Sequence, residues 1–361
     1  MPNQLDLFGD GASDADPGAS GGNASVRAGR ATARAGSAAA AGVDALERRF
    51  EPLRLIAHAL PGSVRFGTSS WSFPGWHGLV YPRKASVAAL ARDGLRLYVR
   101  HPLLTTVGVD RSYYAPIPGQ DLRRYTEHLP PGFPCCAKAP ASVTSAARPT
   151  GAPRSADPNP DFLSAERFID DILDPFDRDF RGHAGPFILQ FPPAPRPLRL
   201  GPAEFAERLD RFLEQLPRHF RYAIEIRQQD LLCREYAAVL ARHGAAHVYN
   251  YWSAMPMPGP QADAIAPESQ PFVVVRLLLR PGAGYEEQRE AFAPFDRIHA
   301  PSEPMRGQVI DIVARAVARR LPAFVLVNNK AEGSAPLTIE ALASGLVDSL
   351  QRVAGSTQPA G

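Results

Sequence analysis

The chain has 361 residues, of which 45% are hydrophobic and 21% charged, with 37 prolines and a formal net charge of +3. This length fits one barrel of about 250 residues with insertions and a tail, or two average domains, and the composition excludes a fibrous protein. The charge is too small to announce nucleic-acid binding by itself; no apolar run reaches the roughly 18–20 residues of a membrane span, and MPNQLDLFGD lacks the make-up of a secretion signal, so a cytoplasmic protein without membrane contact is expected.

Residues 1–46 read as a disordered tail. From Gly9 to Val43 the segment holds Gly, Ala, Ser, Asp and Arg with almost no large apolar side chain, too little to offset the entropy of ordering. The Ala-rich patch before Leu46 has the make-up of a nascent helix leading into Leu53-Arg54-Leu55-Ile56, where folding is expected to begin. A single domain is expected over 47–355, with 356–361 disordered.

Beyond the tail, short β-rich apolar runs alternate with helical patterns, the signature of a parallel sheet built from βα units. Eight strands are predicted: Val64–Ser70, Thr105–Asp110, Phe133–Ala139, Phe187–Phe191, Tyr222–Arg227, Ala246–Tyr251, Phe272–Leu279 and Ala323–Asn328. Several are nearly continuous apolar runs, as strands covered on both faces should be. The fold class is therefore α/β, a (β/α)8 TIM barrel. Pro140 to Pro160 reads as a long loop at the barrel mouth, placed to act as a lid. Asp230 is expected to cap a helix carrying Leu232, Tyr236, Val239 and Leu240 on one face and ending at Gly244. Ser253 to Gln270 reads as loop. Later helices place Ile310, Val313, Val317 and Leu321 on one stripe, stopped by Pro322, and Ile339, Leu342, Leu346, Leu350 and Val353 on another. Cys135, Cys136 and Cys233 are too few for a disulfide framework and lack metal-ligand spacing, so reduced, partly buried thiols are expected.

The strand ends carry Phe66-Gly-Thr-Ser-Ser-Trp71 with Trp76 and Tyr81-Pro82, then Asp110-Arg-Ser-Tyr-Tyr114, then Ala137-Lys138-Ala139-Pro140. They continue with Leu189-Gln-Phe-Pro-Pro193, Ala223-Ile-Glu-Ile-Arg227, Arg276 with Tyr285, and Asn328-Asn-Lys330 followed by Gly333, Ala335 and Pro336. From about Arg65 to Leu350 this series resembles the domain-of-unknown-function 72 family, also called YecE-like. The resemblance implies a TIM barrel and brings no established activity. The chain departs from the family pattern at Gly108 and Asp110, where many members have Glu before Asn, and at Ser145, where His is common; roles at those positions are not carried over.

In barrel enzymes chemistry sits at the carboxyl ends of the strands, and here those ends are polar. Glu225 and Arg227 are two apart on one strand and share a face, opposite Ile224 and Ile226. Arg276 lies inside Val-Val-Val-Arg-Leu-Leu-Leu and needs a partner, either Glu225 or a bound anion. One reading is a sealed Glu–Arg network holding the barrel together. The other adds Lys138, Arg111, Asp110 and Lys330 to form a cationic bowl for an anionic ligand, with Glu225 or Asp110 as general base provided that burial raises its pKa. Trp71, Tyr113, Tyr114, Tyr251 and Trp252 either stack a base or sugar or simply pack the barrel, and Tyr285, matched with Arg276 in the resemblance, is a further ligand-binding candidate. Asn328 and Asn329 orient a substrate or cap the next turn. Strand ends carry too few His, Asp and Glu for a metal cluster, and no Gly-rich phosphate loop, CxxC, HExxH or Ser-elbow motif is present; no metal or cofactor is expected.

Near the start of the tail, Gln4-Leu5-Asp6-Leu7-Phe8 resembles the pentapeptide by which bacterial DNA polymerases and repair proteins dock on the replication sliding clamp. Leu7 and Phe8 would bury in an apolar cleft, Leu5 would assist and the Gln4 amide would supply hydrogen bonds. Three readings follow: a hydrolase acting on nucleic acid or another phosphate-bearing ligand and recruited to the clamp; a clamp-associated module that binds DNA or protein without chemistry; or a small-molecule enzyme, for example on a sugar phosphate.

Overall fold

The computed structural model describes residues 24–149 and 157–356, with side chains described between Ala40 and Gly355. The pentapeptide Gln4–Phe8, the tail up to Asn23, the centre of the expected lid at 150–156 and residues 357–361 lie outside the described residues.

All eight predicted strands are present as β1 Val64–Thr68, β2 Leu104–Val109, β3 Cys135–Ala137, β4 Phe187–Phe191, β5 Tyr222–Ile226, β6 Ala246–Tyr251, β7 Val273–Leu277 and β8 Ala323–Val327. They pair in parallel in the order β3-β2-β1-β8-β7-β6-β5-β4. The outer two strands meet through bridges Cys135↔Ala184 and Lys138↔Ile188 and the bond from Ala139 N to Ile188 O at 2.9 Å, which closes the sheet into a TIM barrel. Cys136, Ile188, Ala223, Val248, Val274 and Leu326 fill the lumen together with Phe272 and Phe324, while the opposite faces of the strands pack on the surrounding helices. The three cysteines are free thiols, Cys135 and Cys136 buried and Cys233 half-buried.

Several local expectations need correction. The segment from Ala24 is helical, continuing to Ala59 as one 36-residue helix with Pro52 inside it. Its alanines favour helix, and Leu46, Phe50 and Leu53, spaced one turn apart, bury and anchor it. Phe50 packs edge-on against His101 at 4.9 Å, and Arg49 pairs with Glu340. Asp230 does not cap the next helix: it lies in the turn Gln229–Leu231, where its carboxylate takes Arg199 at 3.0 Å, and the helix starts at Arg234. That helix does end at Gly244, whose φ of 61° is a left-handed conformation that glycine adopts at no steric cost. Within the stretch read as loop, Pro258–Ala264 is helical, because Pro258 at its start presets φ and forfeits no helical N–H. The helix Glu303–Ala318 buries Met305, Val309, Ile312, Val313 and Ala316; of the expected stripe Val313 is fully buried, while Ile310, Val317 and Leu321 are only partly buried against the core. Ile310 instead packs against Gly345, where an added Cβ would sit 2.6 Å from it. In the last helix, Ala335–Ser356, Ile339, Leu342 and Leu346 are buried but Val353 is exposed.

Candidate functional site

Side chains alternate along a strand, so the residue two beyond each lumen position also points inward, one layer nearer the mouth. Those residues are Ser69, Asp110, Lys138, Gln190, Glu225, Asn250, Arg276 and Asn328, one at the end of each of the eight strands. An apolar layer is thus capped by a polar ring. On β2 the lumen position is Gly108, and a Cβ there would come within 2.8 Å of the Ser69 carbonyl oxygen, so the close approach of β1 and β2 leaves no room for a larger side chain.

The ring is tied together by ions. Glu225, fully buried, accepts from Arg227 Nε at 2.8 Å and from Arg276 Nη1. Gln190 Oε1 accepts from Arg227 Nη2 at 2.7 Å and Arg276 Nη1 at 3.4 Å, and Gln190 also bonds the Tyr113 hydroxyl. Asp110 sits 3.2 Å from Lys138 Nζ and 3.5 Å from Arg276 Nη2. Lys138 is held by its backbone, whose N–H donates to Ser112 Oγ while its carbonyl accepts from that hydroxyl. Its ammonium lies 5.0 Å from the Tyr113 ring centroid. Lys330 is buried with its ammonium 4.3 Å over the Tyr285 ring and has no carboxylate within ion-pair distance among the described residues. Four cations therefore face two carboxylates, an excess of two positive charges at the mouth.

Burial raises the cost of every one of these charges, and neighbours decide the outcome. For Glu225 burial alone would push the pKa up; Arg276, Arg227 and Lys138 overcome it and hold the carboxyl at about 2. The condition attached to Glu225 as a general base is not met: it stays a locked counter-ion. Burial pushes Lys138 down to about 8, against the pull of Asp110 and with help from Arg276 and Arg227. Burial likewise lowers Lys330 to about 8, opposed by Asp110. Both amines thus titrate near neutrality, where a proton donor or a switchable anion contact is most useful.

Other expected residues sit elsewhere. Arg111 turns away from the mouth to pair with Asp121 at 2.7 Å. Trp71 is packed in the wall, donating to Leu90 O and meeting Tyr125 edge-on. Tyr113 and Tyr114, half-buried and edge-to-face at 5.4 Å, line the mouth beside Asp110. Trp252 stacks under the Arg227 guanidinium at 3.9 Å, and Tyr251 is buried. Asn328 Oδ1 accepts from Lys330 N and caps that turn, while Asn329 Oδ1 accepts from Ala335 N and, across the barrel end, from Trp76 Nε1.

Sequence reasoning assigned no role to Gln190, Ser69 or Asn250. The signal that singles out Glu225 applies to them too, a polar residue at the last inward position of an apolar strand. Three atoms of the ring, Ser69 Oγ, Asn250 Oδ1 and Arg276 Nε, are buried without a hydrogen-bond partner among the described residues, a costly arrangement unless something else satisfies them. A cleft of about 570 Å³ lies between the loops that follow β4, β5 and β6, and Arg227, bonded to Glu225 and Gln190 of the ring, is part of its lining. Among the described residues no group of three or more His, Cys, Asp and Glu stands ready to hold a metal ion.

A family described as "Protein of unknown function DUF72" matches residues 65–361. Two solved structures are similar in fold: a DUF72 family protein from Thermotoga maritima MSB8, at 23% identity, covering 80% of this chain and 99% of its own with a TM-score of 0.53, and one from Enterococcus faecalis V583, at 16% identity, covering 78% and 95% with a TM-score of 0.54. No curated protein matches the chain.

Proposed function

The chain belongs to the DUF72 family, and from that membership and the geometry of its mouth we propose that it binds a phosphate-bearing ligand at the carboxyl ends of the barrel strands and hydrolyses its ester. The observation that carries this reading is the ring with the two cations beside it: Lys138, Arg276, Arg227 and Lys330 against Glu225 and Asp110, with Ser69 Oγ, Asn250 Oδ1 and Arg276 Nε buried and unpartnered among the described residues. Arginine forks match phosphate oxygens, and a lysine adds a point charge. Glu225 aligns the two guanidiniums, and Lys138, titrating near 8, is the proton donor. Water attacks phosphorus, the P–O ester bond breaks, the leaving oxygen takes the Lys138 proton, and Asp110, partly exposed beside that amine, accepts the proton of the attacking water. Substrates in this class are nucleic-acid ends or small phosphate esters such as sugar phosphates.

Release of inorganic phosphate from a phosphomonoester or a 5′-phosphorylated oligonucleotide, abolished by Lys138→Met, is the expected result. Salt-sensitive binding without turnover would instead support a binding module, a reading favoured by the locked state of Glu225. For cellular placement we propose a cytoplasmic protein recruited to the sliding clamp through Gln4, Leu5, Leu7 and Phe8. Supporting it, the pentapeptide stands ahead of residues 9–23, whose Gly-, Ala-, Ser- and Asp-rich composition suits a tether to the helix that begins at Ala24; among the described residues no helix is long and apolar enough to cross a membrane. Fluorescence polarisation of a labelled Met1–Asp16 peptide with a bacterial clamp tests it, saturable binding lost in Leu7→Ala/Phe8→Ala being expected and equal binding of both peptides ruling it out.

A further inference from the structure

The cleft beside the ring belongs to the same end of the barrel, yet a bare phosphate held by Lys138 and Arg276 would leave it unused. It is walled by Pro193 and Ala194 after β4, Arg227 and Gln228 at the end of β5, and Ala254 after β6. About 570 Å³ lies within the roughly 300–1,000 Å³ of pockets that hold small organic ligands, far more than one phosphate fills.

Three features say what fits. Arg227 belongs to both compartments. Its Nε and Nη2 are committed inward to Glu225 and Gln190, while its guanidinium lies flat on Trp252 at 3.9 Å and lines the cleft. A guanidinium with one face on an indole offers the other to a second flat group. Gln228, the next residue along, lines the cleft, and its Nε2 is buried with no acceptor among the described residues; such a donor is costly to leave unpaired, and an acceptor on a ligand entering beside it would satisfy it. Pro193, Ala194 and Ala254 supply apolar walls, and Arg199 is held at the rim by Asp230 at 3.0 Å. Apolar walls, a guanidinium already stacked on an indole and an amide donor beside it together fit a heteroaromatic ring with carbonyl or ring-nitrogen acceptors.

We propose that this cleft seats the base of a nucleotide whose phosphate occupies the ring, so that the ligand is a nucleoside monophosphate or a nucleotide terminus rather than free phosphate or a sugar phosphate. The inference rests on the anion-binding reading of the mouth and narrows it. Arg227 spans the two subsites, orienting phosphate through the network of Glu225 and Gln190 and stacking the base over Trp252.

Isothermal titration of the full chain with inorganic phosphate, UMP, AMP and glucose 6-phosphate tests both levels. The expected result is nucleotide affinity at least about tenfold above that of phosphate, one hydrogen bond and one stacking contact being worth that or more, with glucose 6-phosphate no better than phosphate. Gln228→Leu should abolish the nucleotide advantage and leave phosphate affinity unchanged. Arg199→Ala, at an exposed position on the rim, should leave phosphate affinity unchanged and weaken nucleotides alone. Phosphate, nucleotides and glucose 6-phosphate binding equally well would overturn the base subsite and leave the anion reading standing. A Gln228→Leu loss equal for phosphate and nucleotide would also overturn it. Failure of all four probes to bind the parent would sink both.

Discussion

Glu225→Gln separates a counter-ion from a catalytic base. The substitution keeps the shape of the side chain and removes its charge, leaving Arg276, which is 1% exposed, with only Asp110 at 3.5 Å as an ionic partner, and Arg227 with none within reach among the described residues. Breaking one partner of a buried pair costs about 3–5 kcal/mol, so near pH 7 the variant should lose roughly that much unfolding free energy in a urea titration. The pH dependence is a sharper signature. In the parent the Glu225 pKa is held at about 2, below its ordinary 4.5. A depressed carboxyl stabilises above its unfolded pKa, and that stability is lost as pH falls from about 4.5 toward 2. At pH 3.5, one unit below the unfolded value, about 1.4 kcal/mol of the advantage over the glutamine variant should be gone. Anion affinity should survive, since the mouth gains a net positive charge. A variant as stable as the parent near neutrality, or a stability gap that does not close in acid, would refute the assignment. So would anion affinity abolished in a folded variant.

Lys138→Met should lower stability by no more than about 1 kcal/mol, because the depressed pKa shows that the charged amine is disfavoured in its buried position; phosphate titration should show affinity reduced at least about tenfold, the loss of one charge-assisted contact. Lys330→Met should behave alike, and combining the two should reduce binding further, read by the same calorimetry. Phe50→Ala, on the long first helix against His101, should cost about 3–5 kcal/mol in denaturant unfolding, whereas an effect under about 1 kcal/mol would mean that this helix is not part of the barrel's core.

The barrel was legible because its signal is strong and local. Each strand is a short apolar run between turn residues, and all eight stand where that pattern puts them. Boundaries held less well where a tertiary partner intervened. Asp230 carries a capping side chain, but Arg199 claims it; Ile310 reads as barrel-facing, but the bare backbone of Gly345 admits it between two helices. The Ala-rich patch had the make-up of a nascent helix, but its reach back to Ala24 was hidden by composition, since alanines and glycines without large apolar groups look the same in a tail and in a helix anchored from one end by Phe50.

At the mouth, the strands' alternation brought Glu225, Arg227, Arg276, Lys138 and Asp110 into view together. It could not show direction at the loop beyond: Arg111 follows Asp110 directly, yet the turn Asp110–Tyr113 carries it outward to Asp121. Nor could charge counting reveal that two guanidiniums on one carboxylate would lower its pKa rather than raise it. Gln190 and Asn250, neutral and embedded in apolar strands, drew no attention because reading by charge passes over amides. They are nonetheless part of the ring that joins or faces those charges.

Sulfate carries the same charge from neutral pH to well above it, so its binding reports only the protein's ionisation. The most direct test is calorimetric titration of the full chain with sulfate near pH 7 and near pH 9.5. With Lys138 and Lys330 titrating at about 8, saturable binding is predicted near pH 7 and should weaken by about thirtyfold at the higher pH for each lysine that must be protonated. Affinity equal at both pH values, or no binding at either, would contradict an anion site built on these two buried amines.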